Sequence, residues 1–231
     1  MTIVERIETI RERIERACIR SGRKPEEVTL MAVSKFHEGD EIEEALAGGI
    51  TLFGENRVQE AVRKFLPLKE AHPGIELHLI GSLQRNKAKS ALTVCDAIQS
   101  LDRDGLAAAL GSLTGNRERP LPVLLELHTG EESKSGYPDE DSLSGAAELV
   151  LSQGGLKLAG LMTMAPYTAG GDAVRRSFRK LVHAGDTVRK RFPGLELSCL
   201  SMGMTGDFEI AIEEGSTLVR IGTAIFGERR P

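Results

Sequence analysis

Residues 28–54 read VTLMAVSKFHEGDEIEEALAGGITLFG, and the order of elements in this stretch recurs along the rest of the chain. The apolar run 28–33 is too short for a helix and is rich in residues that favour strands. A helical segment follows at 39–49, and a second apolar piece begins at residue 50. A strand, a helix and another strand in this order predict a β–α–β unit with parallel strands.

The same alternation predicts eight strands, with a helical segment between each strand and the next. They lie at residues 28–33, 50–54, 75–81, 97–101, 121–129, 156–164, 195–202 and 216–222. An amphipathic helix precedes them, because apolar residues recur there at helical spacing. These residues are Val4, Ile7, Ile10, Ile14, Ala17 and Cys18. Eight β–α units predict an α/β fold, a (β/α)8 TIM barrel with an extra N-terminal helix, and a doubly wound open sheet is the alternative.

The chain has 231 residues and contains no low-complexity segment or Pro/Ser-rich linker, so we expect a single domain over residues 1–231. Its N-terminal segment lacks the apolar block of a secretory signal, and no apolar run approaches the roughly 20 residues that span a bilayer. The three cysteines, Cys18, Cys95 and Cys199, form no CxxC pair, which favours buried thiols in a reducing compartment. We therefore expect a cytoplasmic protein that does not bind membranes.

Charge and aromatic content argue against nucleic acid as a partner. The net charge of −4 provides no broad basic field for a phosphate backbone or an anionic membrane. Aromatic residues make up 4% of the chain and Trp is absent, so a platform for stacking bases is not expected.

In a TIM barrel the functional site lies at the carboxyl ends of the strands. Chemically capable side chains occur there in this chain: Lys35, Asn56, Ser82, His128, Ser201 and Arg220. They form no cluster of His, Asp and Glu, which disfavours a metal hydrolase, and the chain contains no GxSxG or Walker motif. Lys35 is the most informative of them, because a charged amine directly follows an apolar strand.

The segment 201–227, SMGMTGDFEIAIEEGSTLVRIGTAIFG, has the composition of a phosphate site. Gly203, Thr205 and Gly206 lead into a predicted helix, whose first N–H groups can bind an anion. Gly222 and Thr223, after the last strand, add backbone donors and a hydroxyl. Barrels frequently bind phosphate between the loops after strands seven and eight, so we predict a phosphate site here. For either loop alone, glycines that only cap and turn are the alternative.

A phosphate site, a strand-end amine and a cation on the last strand together predict pyridoxal 5′-phosphate (PLP). The Lys35 amine would condense with the aldehyde as a Schiff base. Arg220 would lie near the pyridine nitrogen, and a guanidinium can only donate, so it would keep that nitrogen unprotonated. The ring would then be a weaker electron sink than one paired with an Asp.

The chain resembles the pyridoxal phosphate homeostasis protein family, which is related to the N-terminal barrel domain of alanine racemase. The matching motifs run in order along nearly the whole chain. They are AVSK (32–35), FGENRVQE (53–60), HLIGSLQRNK (78–87), SLDR (100–103), ESKSG (132–136), GLMTM (160–164), LSMGMTGDFEIAI (200–212) and GSTLVRIGTAIFG (215–227).

The resemblance implies a PLP-binding barrel with a defined set of cofactor-binding residues. It implies that Lys35 binds PLP covalently, that Arg220 faces the pyridine nitrogen and that Asn56 lies near the ring. It places a further group around the phosphate: Met202, Gly203, Thr205, Gly222 and Thr223. No catalytic or metal-binding residue is predicted.

The chain departs from the family pattern at two of these positions. Thr205 occupies a position where the family usually has Ser, which retains the hydroxyl. His128 occupies a position where the family usually has Asn, and we interpret it as a polar strand-end residue rather than a catalytic base. Lys87, Lys89 and Lys134 are all interpreted as solvated lysines. Among them, Lys134 in the ESKSG motif is the best candidate for the alternative that the resemblance implies, a lysine that handles cofactor in transit.

Two functions remain open at this stage. The first is a cofactor carrier that holds PLP as a Schiff base, maintains its intracellular homeostasis and supplies PLP-dependent apoenzymes. The second is a PLP-dependent amino-acid racemase, which needs a base on each face of the substrate carbon. In the related racemase the second base is a Tyr from another domain of the partner subunit, and this chain has only Tyr137 and Tyr167, both in predicted loops. With one well-placed base and a weak electron sink, we favour the carrier. We expect a monomer, because the dimerising domain of the racemase has no counterpart in the predicted elements.

Overall fold

The computed structural model describes residues 1–130, 135–166 and 170–228. Its eight parallel strands form a closed barrel in chain order. They are β1 (Thr29–Val33), β2 (Leu52–Glu55), β3 (Glu76–Leu79), β4 (Ala97–Leu101), β5 (Leu121–Glu126), β6 (Leu156–Met162), β7 (Cys199–Ser201) and β8 (Leu218–Ile221). Because β1 pairs with β2 on one side and with β8 on the other, the sheet closes, and the (β/α)8 prediction is confirmed over the open-sheet alternative.

Helices alternate with the strands along the chain. They are α1 (Ile3–Arg20), α2 (Gly39–Ala47), α3 (Val58–Ala71), α4 (Ala88–Ala91), α5 (Asp104–Thr114), α6 (Glu140–Leu151), α7 (Gly171–Arg191), α8 (Phe208–Glu213) and α9 (Thr223–Phe226). Short 3₁₀ helices occupy Pro25–Glu27 and Arg85–Lys87. Across these ranges, no helix is both long enough and apolar enough to cross a bilayer.

Several elements differ from the sequence prediction. Strand β7 is only Cys199–Ser201 where 195–202 was predicted, and the 3₁₀ helix at Pro25–Glu27 was not predicted. The predicted helix at 84–95 is only a 3₁₀ turn followed by α4, because Thr93 turns its hydroxyl back to Ser90 O at 2.7 Å and the chain then enters β4. The single-turn helix α9 was not predicted, since four residues are too few to show helical periodicity.

The N-terminal helix α1 is confirmed and begins with a capping box between Thr2 and Glu5. Its buried face differs from the prediction by one residue, because Ile3 is buried and Val4 is only half-buried. Helix α1 packs on α2, α8 and α9, so it closes the outer layer beside the first and last strands.

The barrel interior and the outer core receive alternate residues along β1 and β8. Met31 and Leu218 pack together inside the barrel, whereas Ala32 and Ile221 belong to the core between strands and helices.

The hydrogen-bond ladder between β1 and β2 continues past the end of β1, because Ser34 N–H donates to Gly54 O at 3.1 Å. Continued past the strand, the alternation that puts Met31 inside the barrel predicts that Lys35 faces the barrel axis at its carboxyl end.

Candidate functional site

Lys35 lies in a tight turn that begins one residue after β1. It is half-buried, and His37 N–H closes the turn on Ser34 O at 3.1 Å. The residue between them, Phe36, has φ of 69°, a left-handed conformation that a non-glycine residue adopts only when its surroundings hold it. Phe36 N–H donates to Glu60 Oε2 at 3.3 Å, which fixes this strained residue to α3.

A second lysine, Lys64 of α3, holds the same turn from behind. Its Nζ donates to Ser34 O at 2.8 Å, to His37 O at 3.1 Å and to Glu55 Oε1 at 2.5 Å. The Lys64 side chain is 2% exposed, so these bonds are made without competing water. Lys64 was not among the predicted site residues, although its place on the apolar face of α3 beside Ala61 and Phe65 was a visible signal.

The partner of Lys64 is Glu55, the last residue of β2. Its Oε1 also accepts from Ser34 Oγ at 2.7 Å, while Oε2 is buried and has no hydrogen-bond partner among the described residues. Burial raises the pKa of the Glu55 carboxyl, and the neighbouring Lys64 and Ser34 act in the opposite direction. The buried pair therefore links the ends of β1 and β2 beneath Lys35.

The loop after β7 presents free backbone donors. Gly203 has φ of 96°, and a Cβ at this position would lie 2.6 Å from Ala211 Cβ, so glycine is required. Met204 N–H donates to Asp207 Oδ1 at 2.5 Å and shapes the turn. Within the described chain, the N–H groups of Thr205 and Gly206 donate to no backbone or side-chain acceptor, which is the arrangement that binds anions.

The loop after β8 lies directly against the end of β1. A Cβ on Gly222 would lie 3.2 Å from Val33 O, so the absent side chain allows the two segments to approach. Gly222 O accepts from Ile225 and Phe226 at the start of α9, and Thr223 is exposed. The turn of Lys35 and the glycine loop of β8 are therefore neighbours at the mouth of the barrel.

Arg220 of β8 is buried inside the barrel just below these loops, with 4% of its surface exposed. Its Nη1 donates to Ser201 O and Ser201 Oγ, both at 2.7 Å, and its Nη2 donates to Thr163 O at 2.8 Å.

Burial lowers the pKa of Arg220 to about 10, and the negative charges of Asp207 and Glu126 oppose that shift. The guanidinium therefore stays protonated at neutral pH and can only donate. Its backbone N–H donates to Gly203 O at 2.9 Å, which ties β8 to the β7 loop.

Comparison with known proteins places this barrel in a family. Residues 6–230 match the family model of the alanine racemase N-terminal domain. A pyridoxal phosphate homeostasis protein of Aquifex aeolicus (strain VF5) is 39% identical over 230 residues, covering 100% of both chains. The protein of that name from Escherichia coli (strain K12) is 40% identical over 235 residues, covering 98% of this chain and 97% of its own.

The chain belongs to the pyridoxal phosphate homeostasis protein family. A solved structure, that of PipY from Synechococcus elongatus PCC7942 with PLP bound, is similar with a TM-score of 0.85 and 34% identity, covering 98% of this chain and 100% of PipY. Alanine racemase from Corynebacterium glutamicum has a TM-score of 0.68 at 18% identity, over 95% of this chain and 60% of the racemase. This second likeness shows the shared barrel fold alone.

The remaining predicted residues of this family member lie at several strand ends. Asn56 is half-buried after β2, and its backbone carbonyl packs so closely on Gly81 that a Cβ there would lie 2.2 Å away. Met202 is buried in the core outside the barrel wall, and Ser82 is exposed. His128 is half-buried, and its backbone N–H donates to Tyr137 O at 2.8 Å.

Of the two tyrosines considered as racemase bases, Tyr137 lies within the described residues and Tyr167 does not. Tyr137 is buried, and its hydroxyl donates to Asp104 Oδ1 on α5 at 3.0 Å. Burial and this carboxylate raise the pKa of Tyr137 well above its ordinary value, so the phenol stays protonated at neutral pH and does not act as the base. Tyr167 and Lys134 lie outside the described residues.

Proposed function

We propose that this chain binds PLP through a Schiff base to Lys35 and maintains the intracellular supply of the cofactor. PipY has PLP bound, and the relatives named above are pyridoxal phosphate homeostasis proteins. The observation that carries the proposal is the contact between Gly222 and Val33, which brings the turn of Lys35 beside the glycine loop of β8. The neutral amine of Lys35 would supply Nζ and two protons, Nζ would bond to the aldehyde carbon, and the aldehyde oxygen would leave with those protons as water.

The residues at the barrel mouth fit the other parts of this cofactor. The N–H groups of Thr205, Gly206 and Thr223 would hold the phosphate beside Gly203 and Gly222. Met202 would only flank the phosphate, because its N–H already donates to Leu218 O. Arg220 would face the pyridine nitrogen, and Asn56 would lie near the ring. PLP supplies a reactive aldehyde and an electron-withdrawing ring, and a partner that only donates leaves this ring a weak electron sink.

We propose a carrier rather than a racemase. Racemisation needs a second base opposite the lysine, and the Tyr137 hydroxyl is committed to Asp104. The carrier would be a cytoplasmic monomer, with residues 1–231 as one domain, and would pass PLP to PLP-dependent apoenzymes. It would bind neither nucleic acid nor a membrane.

An absorbance spectrum before and after borohydride, with peptide mapping of the reduced adduct, tests the proposal. We expect a PLP adduct on the peptide that contains Lys35 in the wild-type chain and none at that position in Lys35→Ala. Lys89→Ala removes an exposed lysine of α4 and is the matched control. PLP labelling spread over surface lysines, or equal labelling in Lys35→Ala, would contradict it. Unreduced portions of the same samples, assayed with L-alanine, separate carrier from racemase, since loss of optical rotation would favour the enzyme.

A further inference from the structure

A continuous chain of side-chain hydrogen bonds crosses the barrel interior from Arg220 to the first residue of β3. Ser201 Oγ lies 2.7 Å from Arg220 Nη1 and 2.6 Å from Gln99 Oε1. Gln99 Nε2 lies 2.8 Å from His78 Nδ1, and His78 Nε2 lies 2.7 Å from Glu76 Oε1. The four members from Arg220 to His78 are at most 8% exposed, so water does not replace their partners.

The residues at the two ends of this series of hydrogen bonds, Arg220 and Glu76, determine the direction of every hydrogen bond in it. A guanidinium only donates, so Ser201 Oγ accepts from Arg220 and must give its own proton to Gln99 Oε1. The amide of Gln99 then turns its NH₂ group to His78 Nδ1, which accepts. His78 therefore carries its proton on Nε2 and donates to the carboxylate of Glu76. That hydrogen bond lowers the pKa of Glu76, which keeps it ionised as an acceptor.

The backbone of β4 is irregular where it supplies the central member. The register between β4 and β5 shifts between Ile98 and Leu101, and Gln99 lies within this shift. Such irregularities in a strand redirect individual side chains and are frequent beside functional sites. Gln99 lies in the barrel interior with 0% of its surface exposed. An amide left there without a hydrogen-bond partner would cost free energy of folding.

We propose that Gln99, acting through the Ser201 hydroxyl, is the positioning residue that orients Arg220 toward the PLP ring, with His78 and Glu76 setting the direction of its amide. The inference rests on the proposed function, because the ring is what Arg220 would face. Gln99 does not touch the cofactor. It keeps the Ser201 oxygen available as an acceptor, and this third acceptor restrains the guanidinium in addition to the two backbone carbonyls that hold it.

The test is a PLP titration of the full-length chain, with the absorption maximum of the bound cofactor and the thermal unfolding midpoint of the cofactor-free chain recorded in parallel. Gln99→Met removes the acceptor for Ser201, whereas Gln99→Glu retains an acceptor oxygen of the same reach. We expect Gln99→Met to weaken PLP binding about tenfold and to shift the absorption maximum, because a hydrogen bond in a network to a charged group is lost. Gln99→Glu should lie closer to the wild type in both readouts.

Cys199→Ala, on β7 two residues before Ser201, is the control for a change inside the barrel and should keep the wild-type affinity and spectrum. Ser201→Ala serves as the second variant if Gln99→Met does not fold. The double variant Gln99→Met/Ser201→Ala should bind PLP no more weakly than Gln99→Met alone, since both changes act on the same Arg220 guanidinium. Wild-type affinity and spectrum in Gln99→Met or Ser201→Ala, or additive losses in the double variant, would overturn the inference. A wild-type chain that binds no PLP would instead refute the proposed function.

Discussion

Lys64 and Glu55 form an ion pair of 2.5 Å that is almost completely buried, directly behind the turn that carries Lys35. Lys64 also donates to the two backbone carbonyls that flank Lys35 and Phe36. A buried pair of this kind contributes little net stability against an apolar replacement, but removing one partner leaves the other charge uncompensated. The pair therefore acts mainly by defining the conformation of the turn.

The first prediction concerns this pair. Lys64→Met should lower the free energy of unfolding by about 3–5 kcal/mol, because Glu55 is left buried without its partner. The double variant Lys64→Met/Glu55→Leu should recover part of that loss. Urea unfolding followed by circular dichroism measures both, and Lys89→Met on the exposed face of α4 is the matched control. Equal losses in the single and double variants would show that Lys64 acts only through the two carbonyls.

The second prediction separates two glycines of the loop after β7. Gly203→Ala should lower the free energy of unfolding by about 1–3 kcal/mol, since φ is 96° and the new Cβ would lie 2.6 Å from Ala211 Cβ. Gly206→Ala meets no atom within 4 Å and should change stability by less than about 0.5 kcal/mol. Denaturant unfolding of the two variants tests the difference, and similar losses in both would contradict this account of Gly203.

The third prediction concerns pH. Burial raises the pKa of the Cys95 thiol from 9.0 to about 12 and that of Cys199 to about 11. The folded chain keeps these protons while the unfolded chain loses them, so stability falls as the pH rises above 9. Between pH 8 and pH 10 the Cys95 contribution should cost about 1 kcal/mol.

The difference in unfolding free energy between wild type and Cys95→Ala, followed over this pH range, measures that contribution. This difference in unfolding free energy between wild type and Cys95→Ala should become smaller as the pH rises. A gap that stays constant would mean that the Cys95 thiol ionises equally in both states.

The fourth prediction tests whether Tyr137 has a structural role only. Tyr137→Phe removes the hydrogen bond to Asp104 and should cost about 1 kcal/mol of stability. The amount of PLP fixed to Lys35 by borohydride should be unchanged. A large loss of fixed cofactor, with stability preserved, would instead place the Tyr137 hydroxyl in the site.

Much of the architecture could be predicted because it depends on local pattern. Strand formers at 28–33 and helix formers at 39–49 express preferences that act within a few residues, and eight repeats of that pattern are enough to favour a closed barrel. The glycines of the last two loops could be identified for the same reason. Boundaries were less accurate, as at residues 84–95, where a side-chain bond from Thr93 competes with the helix.

The chain order of residues was sufficient to place Lys35 and Arg220 at strand ends on a barrel. It did not reveal that Lys64 holds the turn of Lys35, or that Gln99 and Ser201, which are 102 positions apart, form one hydrogen bond. Local preferences specify which elements form. Closing the barrel decides which buried polar groups become partners, because a buried donor must take the acceptor that packing brings within reach.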